Sequence, residues 1–458
     1  MFSESEFNES VAIVGAGPTG LTLAIELQRR GVPHRIFEAS PGPFEGSRGK
    51  GLQPRTLEVL DDLGVLDRFL AHGSEYPAML AHLPDGERRV WRMGDLHPPT
   101  PEVPRPNSLM VPQWRTGQLL LERLVELGGR VEFGAAVTGL QDTTITLGTG
   151  EQVHAGYVVG CDGGRSTIRK LLGATFEGET YESERMLIAD VRLTGLDRDY
   201  WHVWPVGQGF RLSLCPLPGT DDYQLTAPGA TVGEIESLLP PGVTLTHVGW
   251  TSEYRANMRM VSRFRFGNVF LAGDAAHVHS PAGGQGLNTG IQDAYNLGWK
   301  LATGSSELLD TYQAERLPVA VGVLGVSTAL HRSPSTDRND PRLRQLSLSY
   351  RDGPLAGPTL PGPVQSGDRA PDAPCGTLRI FDALRGPHAT LLAFDVPDAA
   401  LPADTPDLHV RRVVQPDAPA GPRALVDLSG HAHRAYGVQD PTLFHVRPDG
   451  YVRSVARP

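Results

Sequence analysis

The first forty residues alternate between apolar runs and an amphipathic segment. Val11 to Val14 is uniformly apolar, which is typical of a strand buried on both faces. Leu21 to Arg30 repeats apolar residues at helical spacing, and His34 to Phe37 forms a second strand-like run. This order predicts a βαβ unit, the building block of a parallel sheet covered by helices.

Runs of the same two kinds continue along the chain. Residues 181–266 instead alternate apolar and polar positions between turn signals, which indicates a mostly antiparallel sheet. Residues 76–107 are rich in proline and charge and are interpreted as loops or an insertion. Helices are predicted over 47–70, 117–127, 284–301 and 308–330, the last interrupted near Pro318, and strands over 131–133, 143–147, 157–161 and 269–272.

The C-terminal part has its own pattern. Proline and polar residues concentrate between Pro334 and Pro374, which predicts a linker. Strand-like runs then predict a third, small α/β domain. We therefore expect an α/β chain with a nucleotide-binding domain (1–75, 108–180 and 267–345), an inserted antiparallel-sheet domain (76–107 and 181–266), a linker (346–374) and a C-terminal domain (375–458).

Composition excludes several classes of protein. The 458 residues carry 42 basic and 52 acidic side chains, and the net charge of −10 argues against nucleic-acid or acidic-membrane partners. Cys161, Cys215 and Cys375 lie far apart, without a CxxC or a zinc-ligand spacing, so we predict no metal site. No apolar run is long enough for a bilayer and the first ten residues hold no basic residue, so we expect a cytoplasmic protein.

A glycine fingerprint follows the first predicted strand. Gly15 allows a tight turn, Gly17 lets the backbone approach a pyrophosphate, and Gly20 allows close packing of helix on strand. The helix N-terminus offers free N–H groups to phosphate. Glu38 ends the second strand, where an acid binds ribose hydroxyls in dinucleotide-binding proteins. This motif alone does not separate FAD from NAD.

A second motif, at 273–290, places an acid and a glycine-rich run between a predicted strand and a predicted helix. Asp274 follows the strand end, where a carboxylate can accept hydrogen bonds from ribityl hydroxyls. The N–H groups of Gly286, Leu287 and Asn288 start a helix and could stabilise negative charge on a flat ring. The alternative is a plain strand–turn–helix in which Asp274 caps the helix.

These motifs resemble the class A flavoprotein monooxygenases, the single-component aromatic hydroxylases. The order of the motifs is that of the family: GAGPTG at 15–20, Glu38, CDGGRS at 161–166 and GDAAHVHSPAGGQGLNTG at 273–290, followed by LDTYQAERLP at 309–318. The tail at 444–452 is similar to the closing hairpin of the thioredoxin-like domain in the phenol and polyketide hydroxylases. The resemblance thus implies a Rossmann-like FAD-binding domain, an inserted substrate domain and a thioredoxin-like C-terminal domain.

The resemblance also implies which residues serve the cofactor. Pro281 and Arg48 would lie beside the reacting flavin edge, so both are expected to act by positioning. Asp162 and Arg165 match a motif that touches FAD and the nicotinamide cofactor. The expected FAD contacts are Gly15, Gly17, Pro18, Thr19, Gly20, Glu38, Ala39, Arg48, Arg115, Gln118, Val137, Asp162, Gly163, Asp274, Pro281, Gly284, Gly286, Leu287 and Asn288.

The chemistry implied is hydroxylation of a phenolic or polycyclic aromatic, of polyketide or antibiotic type, by O₂ through a flavin hydroperoxide. NADPH or NADH would reduce FAD by transient docking, because the chain has no second GxGxxG for a separate nicotinamide domain. A homodimer is compatible with the resemblance. Two alternatives stay open: a flavoprotein that oxidises an aromatic without hydroxylating it, and a FAD-containing protein that binds an aromatic ligand.

Several residues of the inserted region and the second motif are candidates for further roles. Tyr223, His202 and His279 are candidates for a base that deprotonates a phenol. His277 is expected to be structural. Trp201 and Trp204 could line an aromatic pocket, although packing within the sheet is the simpler interpretation.

Overall fold

The computed structural model describes residues 10–207, 209–280, 283–332, 338–419 and 421–458. Within them, no helix is long and apolar enough to cross a membrane. The fold is mixed α/β, as predicted, and is built on three main sheets.

The six-stranded sheet, called here the nucleotide sheet, has a parallel core. Its central strands, Val11–Val14, Tyr157–Gly160 and Val269–Leu271, are apolar and largely buried, because neighbouring helices and the strands of 137–154 pack with them in one hydrophobic core. The helix Pro18–Gln28 packs against Gly286–Thr303, called here the motif helix. The strand order is Arg265–Phe266, Val269–Leu271, Tyr157–Gly160, Val11–Val14, His34–Glu38 and Val131–Phe133, and only the first edge pair is antiparallel.

The eight-stranded sheet, called here the large sheet, arises mainly from the alternating region, as predicted. Its strand order is His277–Val278, Thr244–Met260, Glu177–Thr194, Asp222–Pro228, Gly209–Pro216, Tyr200–Val206, Ala78–His82 and Arg88–Trp91. Every neighbouring pair is antiparallel except Tyr200–Val206 with Ala78–His82.

The region 76–107 therefore does more than form loops. It adds the two strands Ala78–His82 and Arg88–Trp91 to the edge of the large sheet. Of the two interpretations, loops or an insertion, the loops were therefore wrong for these two segments. Arg88–Trp91 was not predicted as a strand because its charged run faces solvent and lacks the apolar alternation of a half-buried strand. The division of the chain into domains stays a prediction.

The C-terminal sheet has five strands in the order Ala424–Val426, Leu408–Val414, Ala389–Phe394, Thr442–Val446 and Val452–Ala456. The first three are parallel and the last two are antiparallel. The strand-like runs predicted for this domain lie at 389–394, 424–428 and 442–446, and they omit Leu408–Val414 because its central arginines break the apolar run. The helices Ile380–Leu384 and His431–Tyr436 accompany this sheet.

Other helices complete the chain. The long helix runs unbroken from Ser306 to Arg332 through Pro318, so the predicted interruption was wrong. Tyr312 and Ala320 are buried on either side of the proline, and their packing offsets its missing hydrogen bond. The remaining helices are Pro54–Asp62, Leu66–His72, Gln113–Glu126, Thr167–Leu171 and Ile235–Leu238, and the minor strands are Gly51–Leu52, Leu109–Met110, Val137–Gln141, Thr144–Leu147, Gln152–His154, Pro374–Cys375 and Leu378–Arg379.

A buried ionic cluster joins the C-terminal sheet to the nucleotide sheet's helices. Glu315 of the long helix accepts hydrogen bonds from Arg447 at 2.6 Å and from Lys300 at 2.8 Å. Arg447 also donates to Asp449. All four side chains are almost completely buried, so each charge is stabilised mainly by the others.

Candidate active site

A cleft of about 1680 Å³ lies between the carboxyl ends of the nucleotide-sheet strands and one face of the large sheet. Its wall includes the glycine fingerprint, the Asp162 turn and the start of the motif helix. Ligands of open α/β sheets bind at this edge of the strands. The first and last sequence motifs, at 15–20 and 273–290, therefore meet at one place.

The three fingerprint glycines are constrained in different ways. A Cβ on Gly15, whose φ is +102°, would lie 2.5 Å from the carbonyl oxygen of Cys161. A Cβ on Gly20 would lie 1.9 Å from the carbonyl oxygen of Gly15. Gly17 has no described atom within 4 Å of such a Cβ. The fold itself thus requires two of the glycines, whereas Gly17 leaves open space in the cleft, as a close-lying ligand would need.

Thr19 connects the first motif to the second. A Cβ on Gly273 would approach the Thr19 hydroxyl oxygen to 2.6 Å, and one on Gly290 would approach it to 2.5 Å. The helix that follows the fingerprint therefore packs directly on the turn and helix of the second motif.

Glu38 ties the fingerprint loop to the second strand. One carboxylate oxygen accepts from the Ala16 N–H at 2.9 Å, and the other accepts from the Ser40 N–H at 2.9 Å. Glu38 and Ala39 both line the cleft. The carboxylate is thus fixed beside the loop, where the ribose-binding acid is expected.

Asp162 caps a short helix. Its carboxylate accepts from the Ser166 hydroxyl at 2.5 Å and from the Thr167 and Ile168 N–H groups at 2.6 and 3.1 Å. The turn that follows needs Gly163, whose φ is +78°. Both residues line the cleft, although the Asp162 carboxylate is already committed to the fold.

Asp274 projects into the cleft and forms no hydrogen bond with the described residues. The surrounding protein desolvates the carboxylate and raises its pKa, against the opposing effects of His277 and Arg48. It caps no helix: the N-cap of the motif helix is Gln285, which makes no side-chain cap. The alternative prediction, that Asp274 caps the helix, is therefore wrong. The Asp274 carboxylate instead faces the cleft.

The start of the motif helix faces the same space. Within the described residues, the N–H groups of Gly286 and Leu287 have no hydrogen-bond acceptor. The Asn288 side chain is buried, where it accepts from the Gln53 N–H at 2.7 Å and donates to the Gly51 and Gly284 carbonyls at 2.8 Å. Asn288 thus fixes the loop, while the free N–H groups present positive potential to the cleft.

His277 is buried in a polar chain behind this turn. Its Nε2 lies 2.7 Å from an Asp293 carboxylate oxygen, and its Nδ1 lies 3.0 Å from His279. Asp293 is desolvated, but Arg316 and His277 hold its pKa below the ordinary value. Arg316 in turn donates to Asp293 at 2.7 Å and to the Tyr350 hydroxyl at 2.9 Å. The expectation of a structural His277 is confirmed.

The other predicted cofactor residues divide into two groups. Pro18, Thr19, Arg48, Val137, Gly284, Gly286 and Leu287 line the cleft. Arg115 donates to Gln118 at 3.0 Å and neither lines it, whereas Gln113, at the start of their helix, does. The spacing placed the helix correctly but not the face that points inward. Pro281 lies outside the described residues.

Of the three candidate bases, one borders the cleft. The Tyr223 hydroxyl donates to the Leu196 and Asp197 carbonyls at 3.1 and 3.0 Å. His202 lies between His82 and the Asp197 carbonyl. Neither lines the cleft, whereas His279 does, and burial lowers the pKa of His279 to about 3.

Trp201 and Trp204, the two candidate pocket residues, lie in different surroundings. Trp201 lines the cleft and donates to the Ser213 hydroxyl at 2.7 Å. Trp204 stacks on His82 at 4.4 Å between ring centroids, within the sheet. Tyr76 stacks on Trp201 at 6.3 Å and also lines the cleft. The aromatic wall therefore consists of Trp201 and Tyr76, and sheet packing accounts for Trp204.

Lys50 was missed by the sequence argument. Its amine lies 4.2 Å from the centroid of the Trp201 ring and donates to the Gln224 side-chain oxygen. The only sequence feature that could have drawn attention to Lys50 is the rarity of lysine, since the chain has only three: Lys50, Lys170 and Lys300.

Comparison with known proteins places this site in a family. Residues 8–327 match the family model described as FAD binding domain. A curated flavin-dependent monooxygenase from Mycobacteroides abscessus is 44% identical over 97% of this chain and 96% of its own length. The chain belongs to the FAD-dependent monooxygenase family.

Two further relatives of this monooxygenase span nearly its whole length. The 6-methylpretetramide 4-monooxygenase of Streptomyces rimosus is 34% identical over 96% of this chain and 90% of its own. The crystal structure of the flavin-dependent monooxygenase PieE, in complex with FAD and substrate, aligns with a TM-score of 0.80 at 25% identity, covering 98% of this chain and 96% of that one.

Proposed function

We propose that this protein hydroxylates a phenolic or polycyclic aromatic compound with O₂ and NAD(P)H, using FAD. The observation that carries the proposal is a single cleft that holds both an uncommitted acid beside free helix N–H groups and an aromatic wall. The acid is Asp274, the N–H groups belong to Gly286 and Leu287, and the wall is formed by Trp201 and Tyr76.

The residues fit FAD at both of its ends. The open space at Gly17 suits a pyrophosphate against the N-terminus of Pro18–Gln28, and Glu38 suits the ribose of the adenosine half. Asp274 suits the ribityl hydroxyls, which can donate to a carboxylate. The helix N–H groups suit a flavin ring edge that becomes negative on reduction.

FAD, when bound, supplies the transfer of electrons from the nicotinamide cofactor to oxygen. The chain's own residues bind and orient. Asp274 would hold the ribityl chain and the motif helix the ring, the aromatic wall would hold the substrate against the ring, and the cleft walls would exclude water. Arg48, which reaches the Ser252 hydroxyl at 3.4 Å, and Pro281 are assigned positioning roles beside the reacting edge.

A polycyclic substrate is favoured by the size of the cleft and by the relatives. The cleft of about 1680 Å³ is larger than the roughly 300 to 1,000 Å³ of an ordinary small-molecule site, which leaves room for a second bound molecule beside FAD. The name of one relative gives 6-methylpretetramide as its substrate. We extend this class, an extended aromatic polyketide, to the present protein.

The same proposal assigns roles to the domains. The nucleotide sheet would belong to the FAD-binding domain and the large sheet to the substrate domain. The C-terminal sheet would be thioredoxin-like, which is supported by three parallel strands followed by an antiparallel hairpin. Cys375 is buried and burial raises its pKa to about 12, so this domain would serve in packing rather than in dithiol exchange.

The test is oxygen insertion from labelled dioxygen by the FAD-loaded protein. NADPH and NADH are offered in parallel with a panel of phenols and polycyclic aromatics. Substrate-stimulated consumption of the nicotinamide with a product heavier by one labelled oxygen atom supports the proposal. Consumption without labelled product supports the non-hydroxylating oxidase, and binding of aromatics without consumption supports the binding protein.

A further inference from the structure

Lys50 is a cation whose close partners are all uncharged. Its amine donates to the Gln224 side-chain oxygen and lies over the Trp201 ring. Within the described residues, no carboxylate oxygen lies within 4.0 Å of it. Gln224 is itself held by donating to the Ser47 carbonyl, so the amine is fixed in place.

The other two lysines show what is unusual about this one. Lys300 is completely buried, more so than the half-buried Lys50, but its amine lies 2.8 Å from Glu315 and 2.9 Å from Asn296. Lys170 is exposed to solvent. Removing a cation from water without an anion in contact is costly, so Lys50 is the one lysine whose environment would be improved by a negatively charged ligand.

The position of Lys50 joins the two halves of the cleft. The preceding residue, Gly49, faces Leu287 at the start of the motif helix, where an added Cβ would lie 3.7 Å from a Leu287 methyl. The following residue, Gly51, abuts the Tyr76 hydroxyl. The amine therefore lies between the proposed flavin edge and the aromatic wall, the place that a substrate ring must occupy.

We propose that Lys50 selects substrates that bind as phenolates, with its ammonium paired to an ionised ring hydroxyl. This inference rests on the proposed hydroxylation. The substrate O–H bond breaks and its proton passes to the water at the cleft mouth, so no redox change accompanies binding. A phenolate is more electron-rich than a phenol, and the ring would enter the reaction already activated for attack on an electrophilic oxygen.

Within the described residues, no group around Lys50 forms a contact ion pair with it. Burial raises the pKa of Asp190 to about 6, which leaves this carboxylate mostly ionised at pH 7, but none of its oxygens lies within 4.0 Å of the amine. Burial also raises the pKa of the Cys215 thiol and of the Tyr76 hydroxyl, so both are neutral near pH 7. Desolvation lowers the pKa of Lys50 itself, against the opposing effects of Cys215 and Asp190. A bound phenolate would reverse that effect and keep the amine protonated.

The experiment compares the binding of quinizarin, a polycyclic phenol whose colour changes on ionisation, with that of its dimethyl ether. FAD-loaded wild type, Lys50→Met, Lys50→Arg and the control Arg457→Met, a half-exposed cation that does not line the cleft, are titrated across pH 5 to 9. In wild type and Arg457→Met we expect the phenol to bind at least tenfold more tightly than the ether and to ionise at a lower pH than in solution. Lys50→Met should lose both effects, and Lys50→Arg should retain part of them.

The outcomes separate the two proposals. Equal binding of phenol and ether by wild type, an unchanged preference in a folded, FAD-retaining Lys50→Met, or no binding of either compound overturns the role of Lys50. If the dye shift depends on Lys50 but no labelled oxygen enters any aromatic, then hydroxylation fails while phenolate binding stands.

Discussion

Arg447, in the hairpin of the C-terminal sheet, donates to both carboxylate oxygens of Glu315 in the long helix, at 2.6 and 2.9 Å. The two residues lie 132 positions apart in the chain. Because the same Glu315 also accepts from Lys300 of the motif helix, the C-terminal sheet is fixed to the helix that borders the cleft.

Removing Arg447 should destabilise the whole molecule. Arg447→Met leaves Glu315 and Asp449 buried with less compensation, and we expect a loss of about 3 to 5 kcal/mol in the free energy of unfolding. Urea denaturation measures it. Arg457→Met, which breaks a half-exposed pair with Asp440, is the control and should cost less than about 1 kcal/mol. Equal losses would contradict the cluster's role.

The same cluster predicts an acid limit to stability. Desolvation disfavours the Glu315 carboxylate, but Arg447 and Lys300 overcome it and lower the pKa to about 2 from an ordinary value of 4.5. A lowered folded pKa stabilises the native state fully above about pH 4.5 and progressively less as pH falls toward 2. Glu315→Gln should therefore flatten the pH dependence of unfolding in this window, and an unchanged curve would contradict the assignment.

Gly17 and Gly20 should respond differently to alanine. Gly20→Ala places a methyl 1.9 Å from the Gly15 carbonyl oxygen and should cost about 3 kcal/mol of stability. Gly17→Ala meets no atom of the described residues within 4 Å and keeps a φ of −72° that alanine adopts freely, so stability should hold while FAD affinity falls at least tenfold. Thermal unfolding and flavin fluorescence measure the two effects. If FAD affinity falls in a stable Gly17→Ala variant, the fold does not explain the loss, and a close approach of FAD to Gly17 does.

Asp274→Ala should weaken FAD retention without unfolding the protein. The carboxylate makes no hydrogen bond within the described residues, so its loss costs the fold little. Hydrogen bonds to a charged group contribute about 1.5 to 3 kcal/mol, so the Kd for FAD should rise roughly ten- to hundredfold. Asp310→Ala, at an exposed position of the long helix, is the control. Unchanged flavin affinity would remove Asp274 from the site.

Tyr223→Phe should leave kcat and KM for the aromatic within about twofold of wild type. Its hydroxyl is directed at the Leu196 and Asp197 carbonyls, away from the cleft, and its loss should cost about 1 kcal/mol of stability. A hundredfold fall in kcat at unchanged stability would restore Tyr223 as a catalytic base.

Short stretches of sequence predicted those features whose structure depends on residues nearby in the chain. The strand at Val11–Val14, the glycine constraints at 15 and 20, and the acid at 274 followed from nearby residues, because burial and backbone geometry are set there. The strand Ala78–His82 did not, because it owes its place to a partner strand that begins at Tyr200. Two further features depend on residues far away in the chain and could not be predicted from a short stretch of sequence. They are which face of Gln113–Glu126 points into the cleft, and the lack of a charged partner in contact with Lys50.

The contact of Thr19 with Gly273 and Gly290 has a consequence for biosynthesis. A ribosome makes roughly 5 to 20 residues per second, so the βαβ unit that ends near residue 38 waits about 10 to 50 s for its partner motif. Until residue 290 emerges, neither the turn at Asp274 nor the helix that packs on Thr19 exists. FAD can therefore bind only late in translation, and until then the N-terminal fragment must stay folded or protected without the cofactor.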